Sequence, residues 1–179
     1  MSERTISGRV WVLVDANGRL IEDIDTDQIF HNAHLHITDP AEMGPHSLGN
    51  LDGWKDFPKR CAAGDIIVAG RNFGAGSSRQ QAVDCFIALG LAAIVAPSYS
   101  AIYFRNAVNT GFPVLRARNL ETLVAAGSLV SGDRIECGIE TGAARIVGRE
   151  ARLDLEPMSP VQLEIFRAGS LFAYGAGPG

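Results

Sequence analysis

The chain reads as short runs of consecutive apolar residues alternating with amphipathic stretches, and glycine or proline marks most of the junctions. Val10, Val12 and Val14 share one parity within residues 6–14, which predicts a strand, and Asn17-Gly18 then marks a hairpin turn. Asp65-Ile66-Ile67-Val68-Ala69, residues 91–96 and Pro113-Val114-Leu115 are apolar runs too short for helices, as expected of strands buried on both faces. Between them, Ala82, Val83, Phe86, Ile87 and Leu89 recur at helical spacing up to Gly90. A second helix is expected from an N-cap at Ser98 through Ile102, Phe104 and Ala107 to Asn109, with Gly111 ending it. Residues 65–115 therefore predict a βαβαβ core. Further along, residues 120–126 predict a short helix, and 133–156 predict antiparallel strands about the Thr141-Gly142 turn. A last helix is expected at 159–168, capped by Ser159 and closed by Gly169.

Residues 31–60 break this regularity with Pro40, Gly44, Pro45, Gly49, Gly53 and Pro58, and predict a long loop with short helical turns. Loops of that length in a domain of this size usually serve function or move. The 179 residues suffice for one core, so 1–172 is expected to be a single domain and 173–179 a disordered tail. A hydrophobic content of 46% with 20 glycines fits an α/β domain rich in tight turns. The net charge of −4, without a lysine–arginine stripe, argues against nucleic acid as a partner, and no apolar run is long enough to span a membrane. The chain begins without the apolar core of a secretion signal. Cys61, Cys85 and Cys137 are odd in number and far apart, which fits a reducing, cytoplasmic location. No metal site on this chain is expected from them, and Cys85 reads as a core residue.

Chemistry concentrates in Gly70-Arg71-Asn72-Phe73-Gly74-Ala75-Gly76-Ser77-Ser78-Arg79, where a strand turns toward a helix. Ser77 follows Gly76 where a phosphate-binding P-loop needs lysine, and Arg79 stands where a dinucleotide fingerprint needs its third glycine. The spacing instead predicts Ser77 and Ser78 at the helix N-terminus, whose free N–H groups and dipole favour an anion. Arg79 adds a fork of donors suited to a carboxylate. The plainer alternative, a turn with an N-cap serine, is as common for Gly-Ser-Ser before a helix.

Gly-Ala-Gly-Ser-Ser-Arg (74–79), Pro-Ser-Tyr-Ser-Ala-Ile-Tyr-Phe-Arg-Asn (97–106) and Gly-Phe-Pro-Val (111–114) closely resemble the swivelling C-terminal domain of the aconitase superfamily. Asp25-Thr26-Asp27-Gln28-Ile29 and Phe166-Arg167-Ala168-Gly169-Ser170 match the same domain, so the resemblance runs in order from about 20 to 172. It implies an α/β fold: a swivelling β/β/α domain with a central sheet, flanking helices and a smaller strand-rich part. A free-standing chain of this size is similar to the small subunits of the superfamily's two-chain hydro-lyases. The resemblance further implies removal and re-addition of water on a hydroxy di- or tricarboxylic acid. A [4Fe–4S] cluster would sit on a large partner subunit and none on this chain, which would be inactive alone and could self-associate. By position, Ser77 would be the base that takes the proton beside a carboxylate. Ser78 would support its negative charge, Arg79 would bind a substrate carboxylate, and Asp27 would lie near the reacting oxygens. A turn residue bonding its own backbone is an equal alternative for Asp23 and Asp25, and a weaker one for Asp27.

Two departures from the superfamily pattern stand out. Gln80 and Gln81 replace the usual Glu-His after the arginine. The loop His31-Asn32-Ala33-His34-Leu35-His36-Ile37 carries neither the arginine of aconitases nor the Tyr-Leu sequence of malate-acting relatives. Without that arginine, a malate bearing a small apolar substituent is favoured over a tricarboxylic acid. His34 and His36 are candidates for substrate binding, against a solvated loop or a metal site. Action on homoaconitate, citraconate, methylmalate or dimethylmalate, or a non-catalytic role as a dicarboxylate sensor, stay open as alternatives.

Overall fold

Strand β1 (Thr5–Val12) lies inside a six-stranded sheet of order β4-β3-β2-β1-β5-β6 in the computed structural model, which describes residues 4–177. It pairs in parallel with β2 (Ile66–Val68), which pairs with β3 (Ala93–Ala96) and through it with β4 (Val114–Arg116), also in parallel. On its other edge β1 runs antiparallel to β5 (Arg134–Gly138), which turns back into β6 (Ala144–Ile146). Helices α3 (Gln81–Ala88) and α4 (Ala101–Asn109) make the crossovers from β2 to β3 and from β3 to β4, so the expected βαβαβ core is present. The α/β class, the central sheet and the strand-rich second part all stand.

Register decides which residues share a face. Val10 stands opposite Ile66 and Val12 opposite Val68, while Trp11 stands opposite Ile67. Val10, Val12, Ile66, Val68, Ala93 and Val95 pack with Leu120, Leu123, Ile135, Cys137 and Ile146 on one side. Trp11, Leu13, Ile67, Ile94 and Ala96 pack with Phe30, Phe57, Phe86 and Tyr103 on the other. Both faces of the parallel strands are buried, which is why their sequences are continuous apolar runs without alternation.

Helix α1 (Thr26–Ile29) is a single turn, started by a capping box in which Asp25 accepts from the Gln28 amide (2.7 Å) and Gln28 accepts from the Asp25 amide (3.0 Å). The long loop contains short turns at Asn32–His34, Pro40–Glu42 and Gly44–His46 and helix α2 (Phe57–Arg60). Helices α5 (Leu120–Ala125) and α6 (Pro160–Ala168) fall where expected, and α6 keeps its Ser159 cap and left-handed Gly169. Helix α7 (Leu171–Gly175) occupies the start of the stretch read as a disordered tail, and residues 178–179 lie outside the described residues.

Two N-caps differ from expectation. Helix α4 is capped by Ser100, not Ser98, because the Ser98 hydroxyl accepts the Asn72 amide (2.9 Å). Helix α3 begins at Gln81 with no side-chain cap, so Ser77 and Ser78 lie about a turn ahead of its N-terminus. The stretch ahead of α3 is instead tied to α1, by the Arg79 side chain on Asp27 and by the Thr26 hydroxyl on Ser77 O.

Candidate functional site

The loop after β2 is stitched between two neighbours at the carboxyl end of the parallel strands. On one side the Gly74 amide donates to Ile24 O (2.8 Å) and the Thr26 amide to Ala75 O (2.9 Å). The Thr26 hydroxyl, itself buried, donates to Ser77 O at 2.9 Å. On the other side the Phe73 amide donates to Ser98 O (3.1 Å) and the Ser100 amide to Phe73 O (3.0 Å). Asn72 enters the loop at φ +54°, its amide side chain donating to Asp23 Oδ1 at 2.8 Å. Burying the Phe73 ring gains about 2–3 kcal/mol, more than the roughly 1–2 kcal/mol that a left-handed backbone costs Asn72. Gly74 has φ +79°, and a Cβ there would lie 2.1 Å from Tyr103 Cγ, so only glycine fits between loop and ring.

Asp27 and Arg79 meet across this seam. Arg79 Nη1 donates to Asp27 Oδ1 (2.8 Å) and to Phe30 O (3.1 Å). Asp27 Oδ1 also takes the Asn32 amide (2.9 Å), and Oδ2 takes Asn50 Nδ2 (3.0 Å). The Arg79 hydrogen bond holds the Asp27 carboxyl below the usual carboxylate range; partial burial opposes it, and the Asn32 amide and nearby charges reinforce it. With Nη1 spent, the Nε–Nη2 edge of Arg79 meets no protein acceptor among the described residues, and that edge is the one that pairs side-on with a carboxylate.

Ser77 and Ser78 are exposed beside this arginine. The Ser77 hydroxyl makes no protein hydrogen bond among the described residues, and Ser78 Oγ accepts one from Asn106 Nδ2 (3.3 Å). Gln80 turns to Asp84 (2.9 Å), whose carboxyl burial raises and Gln80 partly restores. The structure thus joins Asp27 to Arg79 directly and sets Ser77 and Ser78 on the same loop.

The expected histidines His34 and His36 make no hydrogen bond to this cluster among the described residues. His34 stacks on His46 with ring centroids 3.9 Å apart, both edge-on to Phe30, and burial with three neighbouring histidines keeps the His34 pKa low. His36 Nδ1 bonds the Ala33 carbonyl at 3.1 Å. Among the described residues neither ring hydrogen-bonds Arg79 or a serine, although their loop is tied to Asp27 through Asn32. Sequence reasoning missed Asn50, His46 and Asn106. Helical spacing from Ser100 could have picked out Asn106; nothing local marks Asn50.

Among the described residues no three His, Cys, Asp or Glu side chains converge as a metal site. Cys85 and Cys137 are buried on opposite faces of the sheet and Cys61 is half-buried elsewhere, so this chain has no cysteine triplet for an iron–sulfur cluster. No helix among them is long and apolar enough to cross a membrane. A groove of about 770 Å³ runs past Arg19, Ile21, Glu22 and Glu121 and includes none of Asp27, Ser77, Ser78 or Arg79, while Ser77 and Ser78 themselves are exposed to solvent.

A swivelling α/β domain with a Gly-Ser-Ser-Arg loop on its carboxyl edge is the aconitase type, and the family model of the aconitase C-terminal domain matches residues 26–119. A 3-isopropylmalate dehydratase small subunit from Pyrobaculum aerophilum is 40% identical over 86% of this chain and 90% of its own length. A second, from Methanopyrus kandleri, is 35% identical over 93% of this chain and 89% of its own. The crystal structure of a 3-isopropylmalate dehydratase from Methanocaldococcus jannaschii superposes with TM-score 0.81 at 32% identity, covering 97% of this chain and 94% of that one. The chain belongs to the aconitase C-terminal domain family and, within it, to the 3-isopropylmalate dehydratase small subunits.

Proposed function

We propose that this chain is the small subunit of a two-chain hydro-lyase that dehydrates 3-isopropylmalate, a step of leucine biosynthesis, in the cytoplasm. The observation that carries the reading is the pairing of an unengaged Ser77 hydroxyl with an arginine held on one side and open on the other. Arg79 binds one substrate carboxylate along its Nε–Nη2 edge. Ser77 takes the proton from the adjacent carbon. A serine hydroxyl is too weak an acid to do this unaided, so the positive charge of Arg79 and the Ser78 hydroxyl offset its alkoxide.

Asp27 keeps Arg79 aimed. Residues 31–50 contain no lysine or arginine, so this loop offers no guanidinium or ammonium for a third carboxylate, while Leu35 gives it an exposed apolar side chain. Those two features favour a malate with an alkyl substituent over citrate-like acids. The iron–sulfur cluster of the family's chemistry does not fit on this chain and belongs to the large subunit, whose docking would cover the exposed serines.

The test is Ser77→Ala in the assembled two-subunit enzyme, prepared without oxygen and assayed by enoate absorbance with 3-isopropylmalate. Turnover is expected to fall by about 10²–10⁴-fold with substrate affinity nearly unchanged. Undiminished turnover would remove Ser77 as the base.

A further inference from the structure

Helix α4 sends three polar side chains, spaced three residues apart along one face, to the loop that carries the serines. Ser100 Oγ donates to Gly74 O (2.6 Å), and Tyr103, buried against Gly74, donates to Ala82 O (3.1 Å). These two contacts fix the backbone on either side of the serine pair. The third, from Asn106 Nδ2 to Ser78 Oγ (3.3 Å), reaches a serine hydroxyl itself. Since α3 starts only at Gln81, this face of α4 does the positioning that a helix N-terminus would otherwise do.

We propose that Asn106 is a positioning residue for the dehydration, which sets the direction of the Ser78 hydroxyl proton. An amide NH₂ can only donate, so Ser78 Oγ must accept there and its own proton must point elsewhere. That proton is then available to the negative charge that develops on Ser77 as it acts as base, and the inference rests on that reading of Ser77. Without the amide, the Ser78 hydroxyl rotates freely and its donor is lost to the site for part of the time. The ionisable side chains on the surrounding elements are Asp27 on α1, Arg79 in the loop, Asp84 and Cys85 on α3, Tyr103 and Arg105 on α4, Arg116 on β4, Glu164 and Arg167 on α6 and Tyr174 on α7. None of these, among the described residues, hydrogen-bonds Asn106 or Ser78.

The experiment compares Asn106→Asp and Asn106→Ala with wild type in the assembled enzyme, across pH, with 3-isopropylmalate as substrate. Asn106→Asp keeps the shape and replaces the donor by a carboxylate that can only accept when ionised, so it draws the Ser78 proton away. Its kcat is expected to fall about tenfold or more at neutral pH, with KM within about twofold. As pH falls and the new carboxyl regains an O–H donor, its kcat relative to wild type at the same pH should recover. Asn106→Ala should show a smaller loss that does not depend on pH. Gel filtration with the large subunit confirms assembly of each variant. Wild-type turnover in Asn106→Asp, or equal pH-independent losses in both variants, would overturn the proposal. Ser77→Ala, measured alongside, separates the readings. If it is inactive while Asn106→Asp behaves as wild type, this proposal alone fails; if it is fully active, the Ser77 reading fails and this one with it.

Discussion

Arg79 and Asp27 form a 2.8 Å ion pair that uses one nitrogen of the guanidinium and leaves its other edge free. The Arg79 side chain is only 16% exposed and that of Asp27 34%, so the pair is better shielded from solvent than the chain's exposed ion pairs. Its consequence is orientation: the anchored nitrogen also bonds the Phe30 carbonyl, and the planar fork cannot rotate without breaking both contacts.

Arg79→Lys keeps the charge but cannot hold Asp27 and Phe30 while presenting two donors to a carboxylate. KM for the dicarboxylate should rise about tenfold or more, with the two-subunit complex still assembled. Steady-state kinetics of the complex check this, and an unchanged KM would show that the open edge does not bind substrate.

Gly74→Ala places a methyl group 2.1 Å from the Tyr103 ring at φ +79°. Denaturant unfolding should show a loss above about 2–3 kcal/mol. Gly18, at φ +75° with nothing within 4 Å of an added Cβ, is the control. Gly18→Ala should cost only the backbone strain, about 1 kcal/mol.

Asp65 ties β1 to β2. Its buried carboxylate takes Arg9 Nη2 (2.6 Å), Arg9 Nε (3.2 Å), Trp11 Nε1 (2.8 Å) and the Ala62 amide (2.8 Å). Burial alone would raise its pKa, but these donors and the Arg9 charge outweigh it and hold the group below the usual carboxylate range. A depressed folded pKa stabilises the protein above the unfolded value, and that contribution is lost as pH falls through the folded one. Asp65→Asn should therefore cost about 2–4 kcal/mol at neutral pH. Urea unfolding curves of variant and wild type should converge once the medium is acid enough to protonate Asp65. A gap that persists there would contradict the ionic account.

His34 should titrate below the ordinary histidine range, because burial first and the charges of His46, His31 and His36 next disfavour its protonated form. His46→Ala removes the stacked ring and one of those charges, and should move the His34 titration upward in NMR. A titration that stays put would mean the stack does not govern it.

Much of this site could be read from the chain. Ser77, Ser78 and Arg79 stand in a pattern whose residue types suit a carboxylate, Asp27 is singled out by the family resemblance, and Gly74 and Gly76 do adopt the positive φ that a glycine loop suggests. Local rules also found α6 with its serine cap and the parallel strands, since capping and apolar runs act over a few residues. They failed where a distant partner competed. Ser98 has the right chemistry for a cap, but the Asn72 amide takes its hydroxyl, so α4 starts two residues later at the next serine. Ser77 and Ser78 lie outside α3, in a stretch tied to α1 by the Arg79–Asp27 contact across 52 positions of chain.

The sequence by itself determined most of the elements, their order, both buried faces of the parallel strands and the candidate serines and arginine of the glycine loop. Those follow from periodicity, capping and functional-group chemistry, all of which are local. Only the tertiary structure decided how the functional groups are aimed. Asp27 meets Arg79, Asn50 meets Asp27 and Asn106 meets Ser78 between residues far apart along the chain. Such contacts depend on how β1, β2 and β3 align in the sheet and bring α1, α4 and the glycine loop to one edge, a relation that no window of neighbouring residues contains.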